Sequence, residues 1–145
     1  MFGHILIPID GSSLSMAAMR KAIALAHDAK ARVTVLTVIE PFRIFSVSPE
    51  QLESTQEQYS EEARRQADLA LEEAAADAKA HDVPVETAAI ESDDPYRVII
   101  ETAQKRGCDL VAMASHGRRG FAALLLGSVT VKVLTHSKVP VLVYR

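Results

Sequence analysis

Short runs of apolar, largely β-branched residues alternate along this chain with stretches of helical character, and that alternation constrains the fold more than any other feature. Ile5-Leu6-Ile7-Pro8-Ile9, Val33-Thr34-Val35-Leu36-Thr37-Val38-Ile39, Leu110-Val111-Ala112-Met113-Ala114 and Val139-Pro140-Val141-Leu142-Val143-Tyr144 are too continuously apolar for strands with one wet face. Such runs belong to parallel strands covered on both sides. Val83-Pro84-Val85-Glu86-Thr87-Ala88-Ala89-Ile90 is a weaker strand, whose proline and charge suit a sheet edge. The expected class is α/β, an open parallel sheet with helices on both faces.

The intervening stretches supply the helices. Ser12 or Ser13 caps one that carries Met16, Met19, Ile23 and Ala26 at helical spacing, with Ala18, Ala22, Leu25 and Ala29 beside them. Glu50 to His81 is rich in Glu, Gln, Ala and Arg, all strong helix formers. Its seam of Leu52, Tyr59, Ala63, Ala67, Ala70, Ala74 and Ala78 is small enough to bring a long helix close to the sheet, and its charged outer face reads as solvated. Glu91 to Pro95 opens a third helix with a buried stripe of Tyr96, Ile99, Ile100 and Ala103, and Gly107 stops it. Val129, Val133 and His136 mark a short fourth. Phe42 to Pro49 has no period and is expected as a loop lying across one end of the sheet.

Composition narrows the partners. The chain has 145 residues, most simply one domain spanning 1–145, and its 16 Lys and Arg against 19 Asp and Glu make no basic field for nucleic acid. No apolar run approaches the roughly 18 residues of a transmembrane helix. Nor does the opening strand have the basic start and long apolar run of a signal peptide. The single cysteine, Cys108, excludes an intramolecular disulfide and reads as a small apolar filler before a strand. A reducing cytoplasm is the expected compartment, with no direct membrane contact.

Chemistry concentrates between Ala114 and Ser128, Ala-Ser-His-Gly-Arg-Arg-Gly-Phe-Ala-Ala-Leu-Leu-Leu-Gly-Ser. A buried strand leaves into a glycine-containing polar turn, and a new helix begins at Gly127-Ser128. Free backbone N–H groups and the positive end of a helix dipole then point at one place, which suits an anion, phosphate above all. Gly117 and Gly127 leave backbone amides unobstructed. There is no Gly-x-x-x-x-Gly-Lys-Ser/Thr loop, no Gly-x-Gly-x-x-Gly fingerprint and no general base aligned with a nucleophile, so binding is better supported than catalysis. His116 has the chemistry of a base or metal ligand but no second ligand at metal spacing. His4, His27, His81 and His136 are too scattered to form a motif. Asp10 is both a turn former and a polar group just past the first strand.

The opening Ile-Leu-Ile-Pro-Ile-Asp-Gly-Ser, the Ser-His-Gly turn, Leu-Leu-Leu-Gly-Ser and the closing Val-Pro-Val-Leu-Val resemble the universal stress protein family, in its small single-domain bacterial form, over essentially the whole chain. The resemblance implies a Rossmann-like five-stranded sheet in the order 3-2-1-4-5 and a homodimer through the last strands of two chains. Members that bind ATP or AMP carry Gly-x-x-Gly, nine residues, then Gly-Ser/Thr. Here Gly117, Gly127 and Ser128 match, Arg118 to Leu126 form the spacer, and Ala114 stands at the first glycine position. In a sheet of that order the first and fourth strands meet at the topological switch point, where Asp10 and Ser115 to Gly117 would converge. By resemblance Pro8, Ile9, Asp10 and the backbone of Val38 hold adenine and ribose. Ala114 lies beside them, and Ser115, His116, Gly117, Arg118, Gly127, Ser128 and Val129 hold ribose and phosphates. Asp10 would contact the ribose or a metal-bound water, with Mg²⁺ present only alongside ATP.

The expected function is an adenine-nucleotide-binding, cytoplasmic stress-response regulator, whose regulated partner in some relatives is a transporter. Two alternatives stand beside it. Ala114 and the apolar Phe121–Leu126 patch suit a dimeric interaction protein of the same fold without nucleotide. The hydroxyls of Ser115 and Ser128 allow very slow ATP hydrolysis or self-phosphorylation.

Overall fold

The computed structural model describes residues 1–42, 49–117 and 126–145, with the backbone alone for 49–54. Strands and helices alternate as β1 (His4–Ile9), α1 (Ser13–Ala29), β2 (Arg32–Ile39), α2 (Pro49–Ala80), β3 (Val85–Glu91), α3 (Pro95–Lys105), β4 (Leu110–Ala114), α4 (Ser128–His136) and β5 (Val141–Tyr144). The strands form one parallel sheet in the order β3-β2-β1-β4-β5, as the resemblance implies. β1 lies at its centre, with Ile5 beside Val33 of β2 and Leu110 of β4. β3 is an edge strand, as its proline and charge suggest.

Alternation along the strands divides the interior into two cores. Ile5, Ile7 and Ile9 join Val33, Val35 and Ala112 beneath Met19 and Ile23 of α1 and Ala70, Ala74 and Ala78 of α2. Leu6, Leu36, Val111 and Met113 point the other way, against Val98 and Ile99 of α3 and Val133 of α4. Ile5, Leu6 and Ile7 are fully buried, each side chain contributing roughly 1.5–3 kcal/mol by its removal from water.

Local chemistry sets the helix ends. Ser12 caps α1, its hydroxyl accepting the Ser15 N–H at 3.2 Å. Pro95 occupies the first turn of α3 and Gly107 follows its end with φ 67°. Asp94 stands at the N-cap but makes no capping bond, because its carboxylate accepts from Arg97 Nε at 2.8 Å. In the α3 stripe Ile99 and Ala103 are buried as expected, but Ile100 is only half-buried, and Val98 and Thr102 fill the core in its place.

The α2 seam is the larger departure. Ala67, Ala70, Ala74 and Ala78 are buried, whereas Tyr59 is 41% exposed. Length explains this. A helix of 32 residues spans roughly 48 Å, against roughly 26 Å for the eight-residue β2, so the first half of α2 runs past the end of the sheet. Residues 43–48, most of the loop expected across the sheet end, lie outside the described residues, as does the side chain of Leu52. No helix among the described residues is long and apolar enough to cross a membrane.

Candidate functional site

β1 and β4 are neighbours whose outgoing connections lead to helices on opposite faces of the sheet, so a crevice opens beyond their C-terminal ends. On the β1 side the chain turns at Asp10-Gly11. Asp10 Oδ1 accepts the Ser12 N–H at 2.9 Å, and the Asp10 N–H donates to Ser15 Oγ at 3.2 Å, which fastens the turn to α1. Gly11 has φ 80°, a conformation that strains any side-chain-bearing residue.

On the β4 side one bond ties the end of the strand to β5 and two tie it to the start of α4. The Ser115 N–H donates to Tyr144 O at 2.8 Å, and the Gly127 N–H donates to Ser115 O at 2.7 Å. Buried Thr130 donates its hydroxyl to Ala114 O at 3.0 Å. The approach leaves no room for side chains. A Cβ on Gly127 would lie 3.0 Å from both Cα and Cβ of His116. The φ of −64° and ψ of 155° at Gly127 suit any residue, so glycine is required there for space rather than for conformation. A Cβ on Gly117 would run into the Asp10 carboxylate, so the two turns meet.

Around this junction lies a cleft of about 620 Å³, within the range of small-molecule sites. Pro8, Ile9, Asp10, Val38, Ala114, His116, Gly117, Gly127, Ser128 and Val129 all line it. Ser115 is not at its surface: it is 5% exposed, with Oγ 3.2 Å from His116 Nδ1. Arg118 lies outside the described residues, as do Arg119 and residues 121–125 of the apolar patch.

Gly127 as N-cap offers no side chain, and Val131 is the first residue of α4 whose N–H bonds within the helix, to Gly127 O at 3.0 Å. The N–H groups of Ser128, Val129 and Thr130 have no intrahelical partner, which makes this end of the cleft suited to an anion. Among the described residues no three His, Cys, Asp or Glu side chains are grouped to hold a metal ion. The glycine junction, the unpartnered helix end and the cleft volume together fit a phosphate-bearing ligand.

Sequence reasoning missed one wall of the cleft. Tyr59, Glu62, Ala63, Gln66 and Ala67 of α2 line it, with Thr130 and Lys132 of α4. Beyond the sheet, the small residues of the α2 seam leave open space instead of packing. The Tyr59 ring lies 5.2 Å from that of Phe42 and its hydroxyl donates to Glu40 O at 3.4 Å. The Glu62 carboxyl is held below the usual range by the Arg65 guanidinium, then by the Gln66 amide. The run of alternate helix formers carried no sign that this face leaves the sheet; only the length of the run did.

Fold and cleft together define an open, doubly wound α/β protein with a ligand-sized crevice at its switch point. The chain belongs to the universal stress protein family, whose model matches residues 1–145. It is 32% identical over 145 residues to the universal stress protein MJ0531 of Methanocaldococcus jannaschii, covering 100% of this chain and 83% of that one. It is 30% identical over 149 residues to the universal stress protein YxiE of Bacillus subtilis, with both chains fully covered. Among solved structures, that of MJ0577 from M. jannaschii superposes with a TM-score of 0.79 at 27% identity, covering 99% and 95% of the two chains. A universal stress protein in complex with cAMP gives 0.73 at 25% identity, covering 99% and 97%.

Proposed function

We propose that this chain binds an adenine nucleotide, AMP or ATP, in the switch-point cleft and acts as a cytoplasmic stress-response regulator of one domain. The observation that carries the reading is the junction of Gly117 and Gly127 on Asp10 and His116, which sets the unpartnered start of α4 at a cleft of about 620 Å³. The relative crystallised with cAMP supports it. In this reading the N–H groups of Ser128 and Val129 and the Ser128 hydroxyl take a phosphate. Pro8, Ile9 and the Val38 backbone flank adenine, and Asp10 takes a ribose hydroxyl or a metal-bound water. Ala114 narrows the floor by one methyl group. Ser115, His116, Gly117 and Arg118 complete the phosphate side. Mg²⁺ accompanies ATP through the phosphates.

A bound nucleotide touches both the Asp10 turn and α4, so its presence changes the surface that a regulated partner, such as a transporter, meets. The interaction-protein alternative draws on Val131 and Leu134 of α4, 45% and 42% exposed. Burial of Ser115 leaves Ser128 as the hydroxyl open to self-phosphorylation.

The test is to denature freshly purified protein, identify released nucleotide by mass spectrometry, and titrate stripped protein with AMP, ATP and cAMP by calorimetry. Saturable binding of AMP or ATP is expected, with affinity lowered about tenfold or more by Gly127→Ala, whose methyl group forces the start of α4 off His116. No released nucleotide and no heat with millimolar AMP or ATP would overturn the reading in favour of the interaction protein.

A further inference from the structure

Charge is distributed unevenly around the cleft. The described lining carboxylates are Asp10 at the glycine junction and Glu40 and Glu62 on the β2 and α2 side, Glu62 paired with Arg65, whereas the one Lys or Arg among the described lining residues, Lys132, stands on α4. Lys132 follows Ser128 by four residues, so the two share a helix face about 6 Å apart. Its ammonium is also held in place. Nζ lies 5.4 Å from the centroid of the Tyr96 ring, and that ring packs against the α3/α4 core with the His136 ring 5.5 Å away. No carboxylate among the described residues comes within ion-pair distance of Lys132, so an aromatic face positions its charge without neutralising it.

We propose that Lys132 reads the number of phosphates, making this cleft prefer a nucleoside di- or triphosphate over a monophosphate. The inference rests on the nucleotide reading above. A first phosphate at the N–H groups of Ser128 and Val129 satisfies the start of α4. A second or third, continuing along the helix face, meets the ammonium one turn on. AMP has no such group and gains nothing from it. Lysine suits the task because a compact point charge on a flexible stem meets phosphate oxygens without demanding one bidentate geometry.

The experiment compares AMP and ATP affinities by calorimetry, at fixed Mg²⁺, for wild type, Lys132→Met, Lys132→Arg and the distant surface control Lys79→Met. The ATP-to-AMP affinity ratio is expected to fall about tenfold in Lys132→Met, to recover in Lys132→Arg and to hold in Lys79→Met. ATP affinity should also become less sensitive to salt in Lys132→Met. An unchanged ratio in Lys132→Met, or an equal fall in Lys79→Met, would overturn the inference and leave the nucleotide reading standing. A wild-type protein that binds neither nucleotide overturns both.

Discussion

His4 shows how one residue ties the fold to pH. It lies at the end of β1 opposite the cleft, 4% exposed, with Nε2 2.7 Å from Thr34 Oγ1. Thr34 donates its hydroxyl to Glu86 Oε1 at 2.8 Å, because a carboxylate only accepts. The threonine must therefore accept from Nε2–H, which fixes the neutral tautomer and leaves buried Nδ1 without a hydrogen-bond partner among the described residues. Burial lowers the His4 pKa, and the Arg32 charge adds to it, while the Arg106 backbone carbonyl and then the Glu86 and Asp109 charges pull the other way. A histidine whose folded pKa lies below its unfolded value of about 6.5 binds its proton more readily when unfolded. Its stabilising effect is therefore complete above about pH 6.5 and declines as pH falls toward the folded pKa. The unfolding free energy, read from denaturant melts, should drop between pH 7.5 and 5.5 with a slope of at most about 1.4 kcal/mol per pH unit from this group, and His4→Gln should flatten that part of the curve. An equal slope in His4→Gln would assign the effect to other groups. Cys108, also at this end, behaves as the filler its position suggests: it is 5% exposed, and burial pushes its thiol up to about 11.

Elements carry their own strain and their own legibility. α1 ends at Lys30 with φ 55° and ψ 36°, where its N–H reaches Ala26 O and His27 O. Left-handed backbone costs a side-chain-bearing residue about 1 kcal/mol or more, and glycine is its usual occupant at a helix end. Lys30→Gly should raise stability by about 1 kcal/mol, or roughly 3 °C in a thermal melt. Asp82→Gly, also at φ 55°, should gain less, because aspartate tolerates that region better than lysine. No gain in Lys30→Gly would mean that glycine's extra freedom in the unfolded chain offsets the relief. The strands were legible because burial on both faces demands continuous apolar runs. α1 and α3 were legible from Ser12, Pro95 and Gly107. The wall that α2 gives the cleft was not, since Ala63 and Ala67 repeat in the same pattern whether a sheet lies beneath them or open space. Thr130 and Lys132 were hidden for a related reason: a polar residue on a short helix reads as solvent-facing until the end of a neighbouring strand is known to lie beside it. The junction itself was legible only as spacing, Gly117 to Gly127, and its reason, contact with Asp10 and His116, belongs to the folded chain.

At the scale of the whole molecule, the sheet ends in β5, four half-buried residues with an unpaired outer edge among the described residues. Pro140 O accepts from Val111 and Tyr144 O from Ser115, so the even-numbered residues turn their backbone groups toward β4. Val141 and Val143 therefore turn theirs outward, ready to pair with another chain. Pairing with a second copy about a two-fold axis makes the two edge strands antiparallel, extending the sheet across the dimer. Exposed Val131 and Leu134 on α4 lie on the element adjoining β5. Light scattering should give a dimer mass for the wild type at tens of micromolar. Val143→Pro, which removes an outward N–H while sparing the β4 ladder, should shift it to monomer with unchanged far-UV circular dichroism. The Ser115 N–H bond to Tyr144 O joins this edge to the turn that would hold the ligand, so nucleotide should alter the dimer dissociation constant, and dimerisation should alter nucleotide affinity by the same factor. A wild-type monomer would remove the β5 dimer. A dimer insensitive to a bound nucleotide would show that Ser115 and Tyr144 hold the fold together without passing ligand state from the cleft to the edge.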